Sequence, residues 1–468
     1  MKIFIPDLTH EFKKQGVVAF YSSLKMKPVF VKEAIAKQIR SIFCSPTEES
    51  YFFEACKDIL KSPERLLAEL KEAKILVEES VSTKEVIEWH GKTFTGNPYI
   101  SIMYLIFTDR CNLGCRYCFV MNKFDGKISY GDMSRDVAEL ALQTFSRCIK
   151  KKPENFEDEK TIICYGGEPL LNFSVLRDVF ERVQEMKKEG ELPKSTVISM
   201  NSNGTLIDRE IAKTLKEFKV ALAISLDGDQ WANDSCRLYK GGKPTFKDVS
   251  RGLKICQDVG VDVGISCTLN LESIRNFERT LDMIVEDFKV KSLGFNIVLS
   301  NKEYPLEENY DREATEKIIE AFQIFRRLGI QEDRIMRKVE SFSNGQVYPF
   351  DCGAAGGGQF VVAPNGQIGI CHGYLGTGKY FSSHVSNSEF NPSLDSVFQE
   401  WSKRSPLNIE RCFTCPALGI CGGGCPMYAE DLKGNIWELD RRFCIHAKTI
   451  LDWLIWDLFA GGKNQPEA

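Results

Sequence analysis

Cys111-Asn112-Leu113-Gly114-Cys115-Arg116-Tyr117-Cys118 follows closely on the apolar run Tyr99–Phe107, and this junction decides the reading of the chain. The run is rich in β-branched and aromatic residues and reads as a strand, so the cysteines stand on a loop at its C-terminal end. Three thiolates at this spacing can hold three irons of a 4Fe–4S cube. Complete cysteine ligation takes four, so one iron is left open to a small molecule. A structural zinc site takes four closed ligands, and the nearest histidine upstream is His90.

Outward from this loop, strand candidates recur at Tyr99–Phe107, Thr161–Tyr165, Thr196–Met200, Val220–Ser225, Val261–Thr268 and Ser292–Leu299. Helical patterns lie between and after them, at about 133–150, 172–189, 208–218, 247–259, 272–288 and 312–327. Such alternation predicts an α/β fold with a parallel sheet and outer helices. Six units are too few for the eight of a closed barrel, so the expected architecture is a partial (β/α)6 barrel. Its active site belongs at the C-terminal ends of the strands.

These residues resemble the radical SAM superfamily. Tyr117 inside the cysteine motif matches its pattern, as does Gly166-Gly167-Glu168-Pro169 at the end of the second strand candidate. The resemblance implies that S-adenosylmethionine chelates the open iron and is cleaved reductively to a 5′-deoxyadenosyl radical that abstracts hydrogen from a substrate. It implies cofactor contacts at Tyr117, Gly166, Gly167, Glu168, Asn203, Ser225, Arg237 and Asn270. Glycine lets backbone approach a ligand without a side-chain clash, and a guanidinium clamps carboxylate in two-point fashion. Relatives often carry His-Asp before this arginine, where the present chain has Asn233-Asp234.

After about residue 340 the periodicity fades, glycine and cysteine rise together, and little aliphatic core is expected. Cys352, Cys371, Cys412, Cys415, Cys421, Cys425 and Cys444 stand in an order that resembles the SPASM extension of peptide-modifying radical SAM proteins. By that resemblance Cys412, Cys415, Cys421 and Cys444 hold one auxiliary 4Fe–4S cluster and Cys352, Cys371 and Cys425 the other, which makes three clusters in all. Seven cysteines serve eight irons. Either a distant cysteine, Cys267 or Cys236, closes the last site, or that iron is open to a soft substrate thiolate. The open site suits thioether-forming maturases of the ranthipeptide type. His372 beside Cys371 reads as a residue behind the metal ligands or at the surface rather than a ligand itself, and Asp109, Arg110 and Asp351 as acid–base groups or structural anchors.

The chain has 468 residues, 43% hydrophobic and 27% charged, an ordinary globular mixture. Its 61 basic and 65 acidic residues nearly cancel, so no field recruits nucleic acid or an anionic membrane. No apolar run is long enough to span a bilayer. Residues 1–16 lack a secretion signal, and 17 cysteines, an odd number, point to metal rather than disulfides in a reducing cytoplasm. Cys44, Cys56, Cys148, Cys164, Cys236, Cys256 and Cys267 stand alone and are expected to be buried hydrophobes.

In residues 1–95, Val17–Tyr21 and Val29–Val31 read as strands and Ala34–Phe43 as a helix. Ser62-Pro63 reads as the N-cap of a second helix with Leu66, Leu67, Leu70 and Ile75 on its apolar face. A hairpin followed by helices is compatible with a winged-helix-like module, which in peptide-modifying members binds a leader peptide. The expected organisation is a leader-binding domain at 1–95, the barrel at 96–310, a helical bridge at 311–351, a two-cluster domain at 352–450 and a tail at 451–468. The expected function is hydrogen abstraction from a ribosomally made, cysteine-containing precursor peptide followed by thioether crosslinking, with flavodoxin or ferredoxin as reductant. Carbon–carbon crosslinking, epimerisation and sulfatase-type formylglycine formation are the enzymatic alternatives. An iron–sulfur electron carrier or redox regulator is the non-enzymatic one.

Overall fold

The protein is described from a computed structural model covering residues 2–57, 59–120, 123 and 128–461. Two compact units emerge. One comprises the chain up to Thr95, Ile335–Cys352 and the chain from Lys403 onward; the other is Gly96–Arg334 with Gly353–Ser402.

The first unit opens with β1 (Lys2–Phe4), β2 (Thr9–Lys14), β3 (Val17–Ser22), β4 (Pro28–Lys32), β5 (Thr47–Glu48) and β6 (Val77–Glu78). β2, β3 and β4 form an antiparallel sheet, and β1 lies between β5 and β6 in a second. Val18, Phe20, Val29 and Val31 share one face and pack on Ile35, Ile39 and Phe43 of the helix Glu33–Phe43 and on Leu67 and Leu70 of Pro63–Glu72. Phe30, on the opposite face of β4, meets Phe459 of the helix Arg441–Ala460 with ring centroids 5.0 Å apart. Of the expected tail, residues to Ala460 therefore continue a helix, and 462–468 lie outside the described residues. Ser62 precedes its helix, but its side chain makes no cap bond, and Ile75 lies beyond the helix end at Glu72.

The second unit holds β7 (Ile102–Ile106), β8 (Thr161–Tyr165), β9 (Val197–Ser202), β10 (Ala221–Ser225), β11 (Val263–Leu269), β12 (Ser292–Ile297), β13 (Gln331–Glu332), β14 (Gln359–Val362), β15 (Gln367–Gly369) and β16 (Phe381–His384). They form one mixed sheet in the order β13-β12-β11-β10-β9-β8-β7-β14-β15-β16. β7 to β12 pair in parallel with neighbouring registers, the arrangement of a partial barrel. Their helices are capped locally: Ser134, Asp208, Asp229 and Asn270 each accept a backbone N–H at a helix start.

Alternation along the strands explains the inner surface. Leu222 and Ile224, Ile198 and Met200, and Leu293 and Phe295 are buried on one face. Their sequence neighbours Ser199, Asn201, Ala223, Gly264, Ser266, Gly294 and Asn296 line a cavity of about 900 Å³. A fully packed parallel sheet is apolar on both faces; small and polar residues on one face leave room for a ligand.

Two expectations are corrected. The helix expected at 272–288 is broken into Leu271–Arg275, Phe277–Asp282 and a π turn at Met283–Asp287, because Asn276 leaves helical geometry and its side chain donates to Glu272 O at 3.2 Å. The segment beyond residue 340 is not poor in core: all four residues of β14 are buried, and β14 pairs in parallel with β7. Among the described residues, no helix is long and apolar enough to cross a membrane.

Candidate functional site

Cys111, Cys115 and Cys118 lie on the loop after β7, at the C-terminal end of the parallel strands. Leu113 N donates to Cys111 Sγ at 3.4 Å, and Asn203 Nδ2 approaches the same sulfur at 3.9 Å. Burial raises the Cys111 thiol to about 11 and the Cys115 thiol to about 12. The nearby Arg237 cation opposes the rise at Cys115. Ligation would therefore displace protons from these thiols.

The turn after β8 is strapped to this loop. Gly167 N donates to Thr108 O and Glu168 N to Arg110 O, each at 2.9 Å. A Cβ on Gly167 would lie 2.1 Å from Arg110 O and 2.9 Å from Cys111 N. Gly166 has φ +150° and would place a Cβ 2.5 Å from Thr108 O. Side chains are thus excluded at both positions by the backbone that carries the cysteines.

Glu168 is buried, and its carboxylate accepts from Ser202 Oγ and Asn203 N, both at 2.8 Å, and from Leu170 N at 3.2 Å. Burial pushes its pKa up to about 7 against these three donors. Glu168 thus ties the glycine turn to the end of β9. Asn203 is fixed in turn: its Nδ2 donates to Asn112 Oδ1 at 2.8 Å, and its Oδ1 accepts from Thr205 Oγ1 at 2.7 Å.

A third layer centres on Asp227, a fully buried carboxylate for which sequence inspection suggested no role. It accepts from Tyr117 Oη and from Thr268 N at 3.0 Å, and it forms an ion pair at 2.9 Å with Arg237 Nε. The Arg237 guanidinium lies 5.5 Å from the Tyr117 ring centroid. Tyr117, Asp227 and Arg237 come from three separate segments, so no local signal marks Asp227 as their hub. Ser225 ends β10 half-buried. Asn270 is fully buried, with Oδ1 capping Ser273 N at 2.9 Å and Nδ2 donating to Ala232 O at 2.8 Å.

The other candidates are placed as anchors. Asp109 accepts from the backbone of Tyr130 and Gly131, and Arg110 pairs with Asp132 on the surface. His372 is packed between Tyr104, Tyr165 and Phe119, with centroids 4.8, 4.9 and 5.6 Å away. Its Nδ1 is buried without a hydrogen-bond partner, and burial lowers its pKa to about 4.

Cys352, Cys412, Cys415, Cys421, Cys425 and Cys444 belong to the first unit and Cys371 to the second. Electrostatic interactions link Cys412 with Cys415 and Cys444, Cys421 with Cys415 and Cys444, and Cys425 with Cys352. Burial lifts the thiols of Cys412, Cys421 and Cys425 to about 12. Gly422, Gly423 and Gly424 all have positive φ, 70°, 84° and 69°, which only glycine adopts readily in succession. Asp351 N donates to Gly422 O at 2.9 Å, and its carboxylate lies 3.5 Å from Lys338 Nζ.

None of the 17 cysteines is in a disulfide. Nine of the ten clustered cysteines are half-exposed and Cys352 is exposed. Of the isolated seven, all but Cys44 are buried. Among the described residues no three His, Cys, Asp or Glu side chains converge on a point that would hold a single metal ion. The thiolates of a cube bind different irons and need not share such a point. The donor set fits an iron–sulfur group: thiols on a loop beside buried cations, Arg237 for the first and Arg404 for Cys425 and Cys421.

Comparison with known proteins agrees with this geometry. The model of the radical SAM superfamily matches residues 105–284. The chain is 25% identical over 370 residues to the radical SAM cyclopropyl synthase TigE of Paramaledivibacter caminithermalis, covering 76% of this chain and 74% of that protein. It is 25% identical over 435 residues to the Fe-coproporphyrin III synthase of Methanosarcina barkeri, covering 86% and 96%. It is 25% identical over 374 residues to a cysteine-type anaerobic sulfatase-maturating enzyme of Clostridium perfringens, covering 76% and 96%. The solved structure of native anSMEcpe with bound AdoMet shares the fold, with a TM-score of 0.64 at 22% identity, over 78% of this chain and 100% of that one. The protein is a radical SAM oxidoreductase. Within that class it is related to the peptide- and protein-modifying maturases, and this similarity implies S-adenosylmethionine and an iron–sulfur cluster.

Proposed function

We propose that the chain binds S-adenosylmethionine beside an iron–sulfur cluster held by Cys111, Cys115 and Cys118 and removes hydrogen from a residue of a peptide or protein substrate. Cluster and cofactor together supply an adenosyl radical as the hydrogen-abstracting agent. The carrying observation is the lock between the cysteine loop and the Gly166–Glu168 turn, in which Gly167 has no room for a Cβ beside Arg110 O, 2.1 Å away. Gly166 and Gly167 offer bare backbone to the cofactor, Arg237 a carboxylate clamp oriented by Asp227, and Ser225 a half-buried hydroxyl.

Cys412, Cys415, Cys421 and Cys444 are proposed to hold one auxiliary cluster, and Cys352, Cys371 and Cys425, on sequence grounds, another. The edge strand β2, half-exposed along its length, supports capture of an extended leader by strand addition. Similarity to sulfatase-maturating enzymes favours oxidation of a side chain, or another alternative outcome, over the thioether crosslink. Similarity to Fe-coproporphyrin III synthase over 86% of the chain favours a second reading, a tetrapyrrole substrate.

The test is anaerobic reaction of cluster-loaded enzyme with a precursor peptide or a sulfatase-derived peptide and, separately, with an iron coproporphyrin. Release of 5′-deoxyadenosine with loss of hydrogen from a peptide supports the proposal. The products separate by aldehyde capture for formylglycine, deuterium uptake for epimers, and loss of an alkylatable thiol for a thioether. Absence of 5′-deoxyadenosine under a strong reductant with every substrate rejects it.

A further inference from the structure

Among its described residues, the unit that carries Cys412, Cys415, Cys421, Cys425 and Cys444 buries three cations, Lys338, Arg404 and Arg442, none more than 5% exposed. Two carboxylates are buried there as well, Asp351 and Asp440. Asp351 lies 3.5 Å from Lys338 and Asp440 2.8 Å from Arg442. Arg404 is left over. Its Nε donates to Ile436 O at 2.8 Å, its Nη2 to Glu438 O at 2.7 Å and its Nη1 to Gly423 O. Among the described residues it forms no ion pair with a carboxylate.

A buried, uncompensated cation is costly. The ionisable groups that interact electrostatically with Arg404 are Cys425, Cys421, Cys412 and Asp440, and Asp440 is already paired with Arg442. As neutral thiols the three cysteines offer no charge; as thiolates on iron they would. Cys421 and Cys412 belong to one proposed auxiliary ligand set and Cys425 to the other. The loop between Cys421 and Cys425 is built around this guanidinium: Gly423 has φ +84°, and a Cβ there would lie 2.7 Å from Arg404 Nη1.

Resting on the function proposed above, we propose that Arg404 sets the reduction potential of the auxiliary cluster held by Cys412, Cys415, Cys421 and Cys444, raising it above that of the cluster at Cys111, Cys115 and Cys118. Reduction adds one negative charge to a cluster. A fixed cation in a low-dielectric interior favours that added charge. At the first loop the corresponding cation, Arg237, has a buried carboxylate counter-ion, Asp227, at 2.9 Å, which offsets its charge. The auxiliary surroundings hold one positive charge in excess, which suits that cluster to accepting an electron. Its donors are taken by backbone carbonyls, so Arg404 acts through its field, as a positioning residue for charge.

The test is an anaerobic potentiometric titration of the cluster-loaded holoenzyme followed by electron paramagnetic resonance. A Cys115→Ala variant assigns the auxiliary signals. In the unaltered enzyme the auxiliary cluster is reduced before the first. In Arg404→Gln its reduced-to-oxidised ratio at a fixed applied potential falls about tenfold, equivalent to 59 mV for a one-electron couple. The first cluster's ratio stays unchanged, and Arg404→Lys, which keeps the charge, retains most of the original ratio. An auxiliary cluster reduced after the first in the unaltered enzyme overturns the proposal, whether or not either variant folds. An unchanged ratio in iron-replete Arg404→Gln, or equal shifts in Gln and Lys variants, also overturns it. 5′-Deoxyadenosine production by the unaltered enzyme is scored separately, so failure of the functional reading is distinguishable from failure of this one.

Discussion

Replacing Gly167 by alanine isolates the contact between the cysteine loop and the turn that faces it. The added Cβ would stand 2.1 Å from Arg110 O, 2.4 Å from Arg110 C and 2.9 Å from Cys111 N, all backbone atoms. An ordinary contact is about 3.5 Å, so the carbonyl must retreat by roughly 1.4 Å and carry Cys111 with it. The shift also disturbs the hydrogen bond from Glu168 N to Arg110 O, now 2.9 Å. Overpacking of this kind costs about 1–3 kcal/mol of stability. A displacement of ~1 Å in reacting groups can cost about 100-fold in rate. Gly114→Ala is the matched control within the same motif, since the nearest atom to its Cβ is Lys240 Cα at 3.7 Å. The assay is the anaerobic rate of 5′-deoxyadenosine release at saturating cofactor, with denaturant unfolding alongside. Gly167→Ala should lose about two orders of magnitude while Gly114→Ala stays within a few-fold of the unaltered enzyme. Equal rates for the two variants would refute the claim that backbone approach at Gly167 positions the cysteine loop.

Three further outcomes follow from buried charge and backbone geometry. Asp227→Asn should destabilise the fold by about 3–5 kcal/mol by leaving Arg237 buried and unpaired, and the double variant with Arg237→Met should be less destabilised than Asp227→Asn alone; denaturant titrations that rank the two in the opposite order reject the charge argument. Glu168, raised by burial from its ordinary 4.5 to about 7, contributes stability that is fully present below pH 4.5 and lost as pH rises to 7. The difference between the unaltered apoprotein and Glu168→Gln should therefore change by about 3 kcal/mol across that window, and a flat difference contradicts it. Gly423→Ala should lower the iron bound at the auxiliary cysteines, because its φ of +84° is strained and its Cβ meets Arg404 Nη1 at 2.7 Å. Gly434→Ala, with φ +80° and nothing within 4 Å, should cost only the ~1–2 kcal/mol of left-handed backbone and leave iron content intact.

What could be read in the sequence was what local periodicity controls. β8 runs over Thr161–Tyr165 as the sequence suggests, and β10 and β12 begin or end within a few residues of their expected bounds. Each carries alternating large apolar residues that must face the outer helices. β2 was missed because Thr9–Lys14 reads THEFKK, whose single apolar residue, Phe12, is too little to show an alternation. β14 was missed for a different reason. Its four residues, Gln359–Val362, are too few to show a period, and they become a strand by pairing with β7 far upstream. The position of the cysteine loop after β7 was legible because it follows directly on an apolar strand pattern. The carboxylate that organises Tyr117 and Arg237 was not, because its partners arrive from three segments.

The same distinction accounts for the chemistry of the two units. At the first cysteine loop, burial of Arg237 is matched by burial of Asp227, so the site is electrically balanced by protein alone and its folding need not await iron. In the other unit Arg404 is buried with backbone carbonyls as its hydrogen-bond partners and with thiols nearby. Carbonyl dipoles satisfy its donors but leave its charge unpaired, and thiols lifted by burial to about 12, as at Cys421 and Cys425, supply no anion at neutral pH. Only ligation converts them to thiolates, so stability in this unit should be coupled to iron far more strongly than in the barrel. Chelation of iron from the loaded enzyme should accordingly open the amides around Cys421–Cys425 to hydrogen exchange before those of β8 and β9. Simultaneous opening of both regions would mean that Arg404 is compensated by something other than ligated sulfur.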